Sequence, residues 1–184
     1  KGPVLHLLSQ RPGQTGSGVM LESIVTEARA AGWEQAVLLG LPGQMESYSM
    51  GGLPARNLRA LRFDSKALPF ALPGMSDIMP YPSSRFSELS ESRLSSYMQA
   101  WRREIAAAIA EFSPRLIHSN HVWLLSSLVK DLAPDIPVMT NCHATGLRQA
   151  ELCPQLAPRV RLGCRRNERF GVLHAGHAAR LASD

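Results

Sequence analysis

No stretch of the chain approaches the roughly 20 consecutive apolar residues that a membrane-spanning helix needs, so an integral membrane segment is not expected. A secretory signal is not expected at the start either. Lys1-Gly2-Pro3 runs into the short apolar segment Val4 to Leu8, which is too short for the apolar centre of a signal peptide. Cysteine is scarce: Cys142, Cys153 and Cys164 are odd in number and lack C-x-x-C spacing. That argues against a disulfide framework and a zinc ribbon, and fits a reducing compartment. No glycine-rich stretch is followed by Gly-Lys-Ser/Thr, which excludes a Walker A loop. There is no internal repeat and no low-complexity tract.

What is present is a chain of 184 residues, 45% hydrophobic, enough for one sizeable core and too apolar for intrinsic disorder. Mean hydropathy is −0.09, the balance of an ordinary water-facing surface around such a core. Lys and Arg number 20 against 15 Asp and Glu, a net charge of +5, and only Lys1, Lys66 and Lys130 among the cations are lysines. Such an excess favours acidic partners without naming them. A cytoplasmic protein is expected.

The apolar pattern alternates between two periods. Val4-Leu5-His6-Leu7-Leu8 reads as a strand, Ser9 to Gly18 as a glycine-rich loop, and Met20, Leu21, Ile24, Val25, Ala28 and Ala31 as a helix face stopped by Gly32. Ala36 to Leu39 is a second strand, so the opening is a right-handed βαβ unit with parallel strands. Residues 41 to 57 are loop, Leu58 to Phe63 a strand, and Leu68 to Phe86 an irregular proline-rich segment. A long helix follows from about Leu89 to Phe112, where Leu94, Tyr97, Trp101, Ile105, Ala108 and Phe112 step by three and four. Beyond Ser113-Pro114 the segments are a strand at Leu116 to His118, a helix at Val122 to Leu132 and a strand at Ile136 to Thr140. Helices at Leu147 to Leu152 and Pro158 to Glu168, a strand at Phe170 to Leu173 and a helix at His174 to Ala182 complete the chain. Strands alternating with helices predict an α/β fold with a Rossmann-like, doubly wound, mostly parallel sheet over residues 1 to 184.

In such sheets ligands sit beyond the carboxyl ends of the strands. Three segments fall there: Ser9 to Gly18, His118-Ser119-Asn120-His121, and Asn141-Cys142-His143. Gly16-Ser17-Gly18 opens a helix, where backbone N–H groups and the helix dipole favour an anion such as a phosphate. The dinucleotide pattern is incomplete, because Leu21 stands at the third glycine position and Gly40-Leu41 where a ribose-binding acid belongs. That counts against a nucleotide-dependent oxidoreductase.

His118 and His121 lack the third and fourth donors of a metal site, so no metal is expected; one is read as packed and the other as cleft-lining. His143, at a strand end, is the histidine best placed to aim a polar group into a cleft. Cys142 beside it has no second feature that would make a Cys-His pair, and His174 and His177 read as surface or helix-end residues. Arg159, Arg161, Arg165, Arg166 and Arg169 form a basic cluster suited to a solvated helix face, to an anionic membrane surface or to phosphates. No recognition motif makes nucleic acid a partner. The segment Leu68 to Phe86 reads either as a strap packed over the core or as a binding loop, in which Phe70 and Tyr81, aromatic residues among prolines, would be exposed and contact a ligand.

The glycine-rich loop, Pro114-Arg115-Leu116-Ile117-His118-Ser119-Asn120-His121-Val122-Trp123-Leu124 and Thr140 to Gln149 together resemble the N-terminal domain of bacterial family 4 (group 1) glycosyltransferases. Members of that family often read P-D-V-I-H-x-H-H-L-W and T-x-H-G-T-D-L-R-Q at these places. The resemblance implies a retaining enzyme of GT-B type, with two Rossmann-like domains facing a cleft. Such an enzyme moves a sugar from a nucleoside diphosphate sugar to a glycan or lipid-linked acceptor of the cell envelope, with no essential metal or other cofactor. It implies a cytoplasmic location with peripheral contact at the inner face of the membrane. Gly16, Ser17 and Gly18 become the donor-phosphate loop and His143 the active-site histidine. His118, Asn120, His121, Thr145 and Arg148 become acceptor or cleft-lining residues, with Phe70 and Tyr81 added from the irregular segment. Asn120 stands where a second histidine is common, Ala144 replaces glycine and Gly146 replaces aspartate. The C-terminal donor-binding domain with its E-x7-E motif has no counterpart before Asp184, so this single domain alone is expected to fold without turning over. The alternative is a non-catalytic binding or regulatory module with a degenerate transferase fold.

Overall fold

The structure, a computed structural model, describes residues 2–183. Eight strands run in chain order: β1 (Val4–Leu8), β2 (Gln35–Leu41), β3 (Leu58–Arg62), β4 (Pro73–Gly74), β5 (Ser84–Arg85), β6 (Leu116–Asn120), β7 (Val138–Cys142) and β8 (Arg169–Val172). The helices are α1 (Gly16–Ala30), α2 (Glu91–Phe112), α3 (Leu124–Leu132), α4 (Ala144–Leu152), α5 (Ala157–Cys164) and α6 (Ala175–Ser183).

Six strands form one sheet in the order β3-β2-β1-β6-β7-β8, and each pairs parallel with its neighbours. The Rossmann-like α/β fold expected from the alternation is therefore present. From β1 the chain builds outward to β2 and β3, then returns through α2 to the other side of β1 and builds outward again. The direction reverses between β1 and β6, which makes the crevice beyond their carboxyl ends the natural ligand position.

The two faces of the sheet are covered unequally. Alternate residues along β1 and β2 divide between them, as period-two strands require. Leu8, Val37, Leu39 and Leu41 meet Leu21 and Val25 of α1. Leu5, Leu7 and Leu38 join the larger core with Tyr97, Trp101 and Ile105 of α2 and Leu124 and Leu128 of α3.

Local chemistry sets the helix ends. Thr15 caps α1, its hydroxyl accepting from the Gly18 N–H at 3.1 Å. At the other end Gly32 takes φ +76, and the Trp33 N–H returns to the Ala28 carbonyl at 2.9 Å. Ser90 caps α2, accepting from the Arg93 N–H at 3.3 Å.

Several boundaries differ from the sequence expectation. β6 extends through Ser119 and Asn120 because their polar side chains are satisfied inside the fold: the Ser119 and Thr140 hydroxyls lie 2.8 Å apart, and the Asn120 amide donates to the Leu7 carbonyl at 3.2 Å. β7 starts two residues late, at Val138, and its first N–H donates to a Glu168 carboxylate oxygen at 2.7 Å. α5 ends at Cys164, and Arg165 to Glu168 turn into β8.

The segment 68–86 is a strap packed on the core, clipped by the short parallel pair β4–β5. Of the two readings of this segment the structure shows the strap, and the expectation of exposed aromatics is corrected. Phe70 is 6% exposed and sits edge-on to Phe63, with ring centroids 5.8 Å apart; Tyr81 is 8% exposed and its hydroxyl donates to Gln10 Oε1 at 2.5 Å. Neither lines the cleft described below. Apolar area drives both rings inward, and the one polar atom of Tyr81 finds a buried acceptor.

Candidate functional site

The carboxyl ends of β1, β6 and β7 open into a cleft of about 560 Å³. Two helices begin at its wall. α1 contributes Thr15, Gly16 and Ser17, and α4 contributes Ala144 and Thr145 behind its N-cap residue His143. Each helix start carries unpaired N–H groups and the positive end of a helix dipole. Among the described residues no Asp, Glu, Lys or Arg side chain lines the cleft, so these dipoles act there without a neighbouring carboxylate, lysine or arginine. An anion is the group this arrangement favours.

The two glycines of the expected phosphate loop do different work. A Cβ on Gly16 would meet nothing within 4 Å, and Gly16 lines the cleft. A Cβ on Gly18 would stand 2.8 Å from the Gly13 carbonyl oxygen and 3.1 Å from that of Arg11, so Gly18 lets the loop fold back over α1. Gly18 is buried and does not line the cleft.

His143 and His121 share the floor, their ring centroids 4.7 Å apart. The Asn120 amide nitrogen is committed to the Leu7 carbonyl, so its Oδ1 faces His143 Nε2 at 3.2 Å as acceptor. His143 therefore carries its proton on Nε2 and holds Nδ1 as a lone pair. His121 adopts φ +68, a left-handed backbone that turns the chain sharply beyond β6, and its buried Nδ1 has no partner among the described residues. Burial holds both imidazoles below their ordinary pKa; the charge of His177 adds to the lowering at His143, and that of His143 at His121. His121 and His143 are thus both neutral imidazoles at pH 7.

The remaining expected site residues are dispersed. Thr145 lines the cleft. His118 is packed under it, 6% exposed and bonded to His6, and does not line the cleft as His121 does. Asn120, 1% exposed, supports His143 from behind. Arg148 points away from the cleft on the exposed side of α4 and pairs with Glu151 at 2.9 Å. Cys142 is buried, and burial pushes its thiol pKa up, the opposite of an activated nucleophile.

Sequence reasoning missed three contributors. His177, expected at the surface, lines the cleft from α6, and Met75 and Met79 line it from the strap. Gln10 also lines the cleft, from the Ser9 to Gly18 segment expected there. Among the expected basic residues, Arg166 pairs with Asp131, which also takes Arg102 at 2.5 Å, and Arg169 donates to the Glu168 carbonyl at 2.8 Å. Leu162 on α5 is 75% exposed. No helix among the described residues is long and apolar enough to cross a membrane.

No protein-family model matches the chain, and no curated protein sequence does. Solved structures do. Sucrose-phosphate synthase from Thermosynechococcus elongatus superposes with a TM-score of 0.65 at 14% identity, over 100% of this chain and 45% of that one. The UDP-GlcNAc 2-epimerase from Methanocaldococcus jannaschii superposes with a TM-score of 0.55 at 9% identity, over 98% of this chain and 42% of that one. The chain spans less than half the length of either. A synthase and an epimerase share this architecture, so the likeness speaks for the fold and leaves the reaction to the site. The chain has a Rossmann-like α/β fold, similar to that of a domain in each of these two proteins.

Proposed function

We propose that this chain is the acceptor-side domain of a retaining GT-B glycosyltransferase, which moves a sugar from a nucleoside diphosphate sugar to a cell-envelope acceptor at the cytoplasmic side of the membrane. One observation carries the reading: the N-termini of α1 and α4 converge on a single cleft at the point where strand order reverses. Two helix dipoles with no carboxylate between them among the described residues suit the diphosphate of a nucleotide sugar better than a neutral ligand.

In this reading the amides at Gly16 and Ser17 approach the donor phosphates. His143, held neutral and turned by Asn120, lies beside the transferred sugar, where its Nδ1 accepts from a hydroxyl. The second half of a GT-B cleft supplies the nucleotide site, and no metal or other cofactor takes part. Holding donor and acceptor in one cleft then contributes most of the acceleration.

Titration with inorganic pyrophosphate, followed by backbone amide NMR, tests the anion site. The amides of Gly16, Ser17, Ala144 and Thr145 are expected to shift together and saturably. Shifts confined to the arginines of α5 would overturn it. The chemistry is tested on the whole protein with a panel of nucleoside diphosphate sugars: transfer needs an acceptor, and conversion of the sugar without one would redirect the reading to epimerisation.

A further inference from the structure

Three arginines converge outside the cleft. Arg102 of α2, Arg159 of α5 and Arg166 in the turn beyond α5 line one hollow of about 320 Å³ together with Asp131 of α3. None of the four lines the cleft. We propose that this hollow is a second anion site, which takes the dianionic head of a small, soluble phosphate monoester.

Close packing of two helices builds the hollow. A Cβ on Gly163 would run into the Ser127 carbonyl oxygen and stand 2.6 Å from Ser127 Cβ, so glycine there lets α5 lie directly on α3. Arg159 precedes Gly163 by one turn on the same side of α5, and the Arg166 N–H returns to the Gly163 carbonyl at 3.3 Å, which carries the helical spacing past the end of α5. The stripe laid against α3 therefore has a guanidinium at either end.

Asp131 positions two of the three. Arg102 Nη2 donates to Asp131 Oδ2 at 2.5 Å, and Arg166 Nη2 donates to Oδ1. Each guanidinium spends one of its five N–H donors on the carboxylate, and the side chain of neither forms another hydrogen bond among the described residues. The Arg159 side chain has no hydrogen bond or ion pair among them. Three guanidiniums against one carboxylate leave positive charge in excess, and like charges so gathered repel one another until an anion joins them. A phosphate monoester carries about −1.5 to −2 at pH 7, which meets that excess, and its oxygens match the planar fork of arginine.

The neighbouring surface points to a small ligand with a polar body. Arg102 and Arg159 also line an adjoining hollow, where Glu91, Ser95 and Gln99 offer a carboxylate, a hydroxyl and an amide to hydroxyl groups. An anionic bilayer would meet Asp131 and Glu91 as like charges; a small anion reaches the arginines between them.

The test titrates glycerol 2-phosphate into the purified 184-residue chain and follows the arginine Nε–H signals by NMR. Saturable shifts are expected at Arg102, Arg159 and Arg166, and glycerol alone is expected to cause none. Arg159→Gln takes away no contact among the described residues, so the melting temperature should hold while affinity falls about ten-fold. Arg169→Gln removes the same charge from outside the hollow and should leave the affinity unchanged. Equal losses in both variants would overturn the proposal as diffuse attraction to the net charge of +5. Capture of the chain by phosphatidylglycerol vesicles, abolished by Arg159→Gln while glycerol 2-phosphate shifts nothing, would overturn it in favour of a bilayer. The cleft is read separately: pyrophosphate shifts at Gly16 and Thr145 should be the same in Arg159→Gln as in the parent chain, and their absence sinks only the cleft reading.

Discussion

His6 and His118, register partners on β1 and β6, face each other Nδ1 to Nδ1 at 2.8 Å. Only one proton arrangement suits them when both are neutral. Gln35 donates its amide to the Val25 carbonyl at 3.1 Å, so its Oε1, 3.0 Å from His6 Nε2, is an acceptor. His6 then carries its proton on Nε2 and accepts at Nδ1, and His118 donates from Nδ1. Protonating His6 would set two donors against each other.

A pH dependence follows from this pair. Burial, with the charge of His118 second, lowers His6 to about 3, and burial lowers His118 to about 4 although the Asn141 side chain opposes part of the fall. Both pKa values lie below the 6.5 of an unfolded histidine, so the unfolded chain binds more protons between pH 6.5 and about 4. Stability is therefore full above 6.5 and falls as the solution is acidified through that window. At pH 5 each imidazole is expected to cost about 2 kcal/mol relative to neutral pH. Urea melts at pH 7.5 and pH 5 check this, and the double variant His6→Leu/His118→Leu should show a distinctly shallower loss. An unchanged slope in the double variant would place the acid sensitivity elsewhere.

The glycine pair offers a contrast between fold and site. Gly18→Ala forces a methyl group against the backbone of Gly13 and Arg11, and is expected to destabilise by about 1–3 kcal/mol. Gly16→Ala meets open space, so the melting temperature should stay unchanged or rise slightly with the better helix former. Its methyl group borders the cleft, however, and pyrophosphate affinity should drop. Thermal melts beside pyrophosphate titrations of both variants read the two effects separately.

Much of this was legible in the sequence because it depends on local pattern. The glycine-rich loop and His143 were found by their place after apolar runs, and the alternation of periods gave the sheet. The His6–His118 contact was not legible, since it joins residues 112 apart in sequence. Ser119 and Asn120 looked like loop because polar residues near a strand end usually meet water; here buried partners replace the water. Phe70 and Tyr81 carried no periodicity to report their direction. Only the tertiary packing of the strap decides that they face inward, and with that the aromatic side of the expected acceptor site becomes core.

That packing gives Tyr81 a testable structural role. Tyr81→Phe keeps the ring and removes the hydroxyl, leaving Gln10 Oε1 without its donor in a buried place. A loss of about 1 kcal/mol is expected. Because Gln10 also holds the Pro73 carbonyl, amide hydrogen exchange over residues 73–86 should accelerate more than exchange in β1 or β6. Uniform acceleration across the sheet would mean that the hydroxyl stabilises the whole domain rather than the strap.

At the other edge of the sheet, Lys130 and Glu168 join α3 to the turn before β8. The Lys130 side chain is 8% exposed and its Nζ lies 2.7 Å from Glu168 Oε1, while it also donates to the Ile136 carbonyl at 3.1 Å. Glu168 is 43% exposed, and its second oxygen takes the Val138 N–H at the start of β7. Lys130 and that N–H hold its carboxyl below the usual range. Glu168→Ala leaves a buried ammonium and a strand-end N–H without their acceptor, and is expected to cost about 1–3 kcal/mol. Removing both charges in Lys130→Met/Glu168→Gln should recover part of that loss, because a buried charge without a partner is costlier than an apolar side chain of similar length. Denaturant melts of the single and double variants measure the recovery. If the double variant is as unstable as Glu168→Ala, the loss arises from the carboxylate's grip on Val138 and not from the stranded lysine.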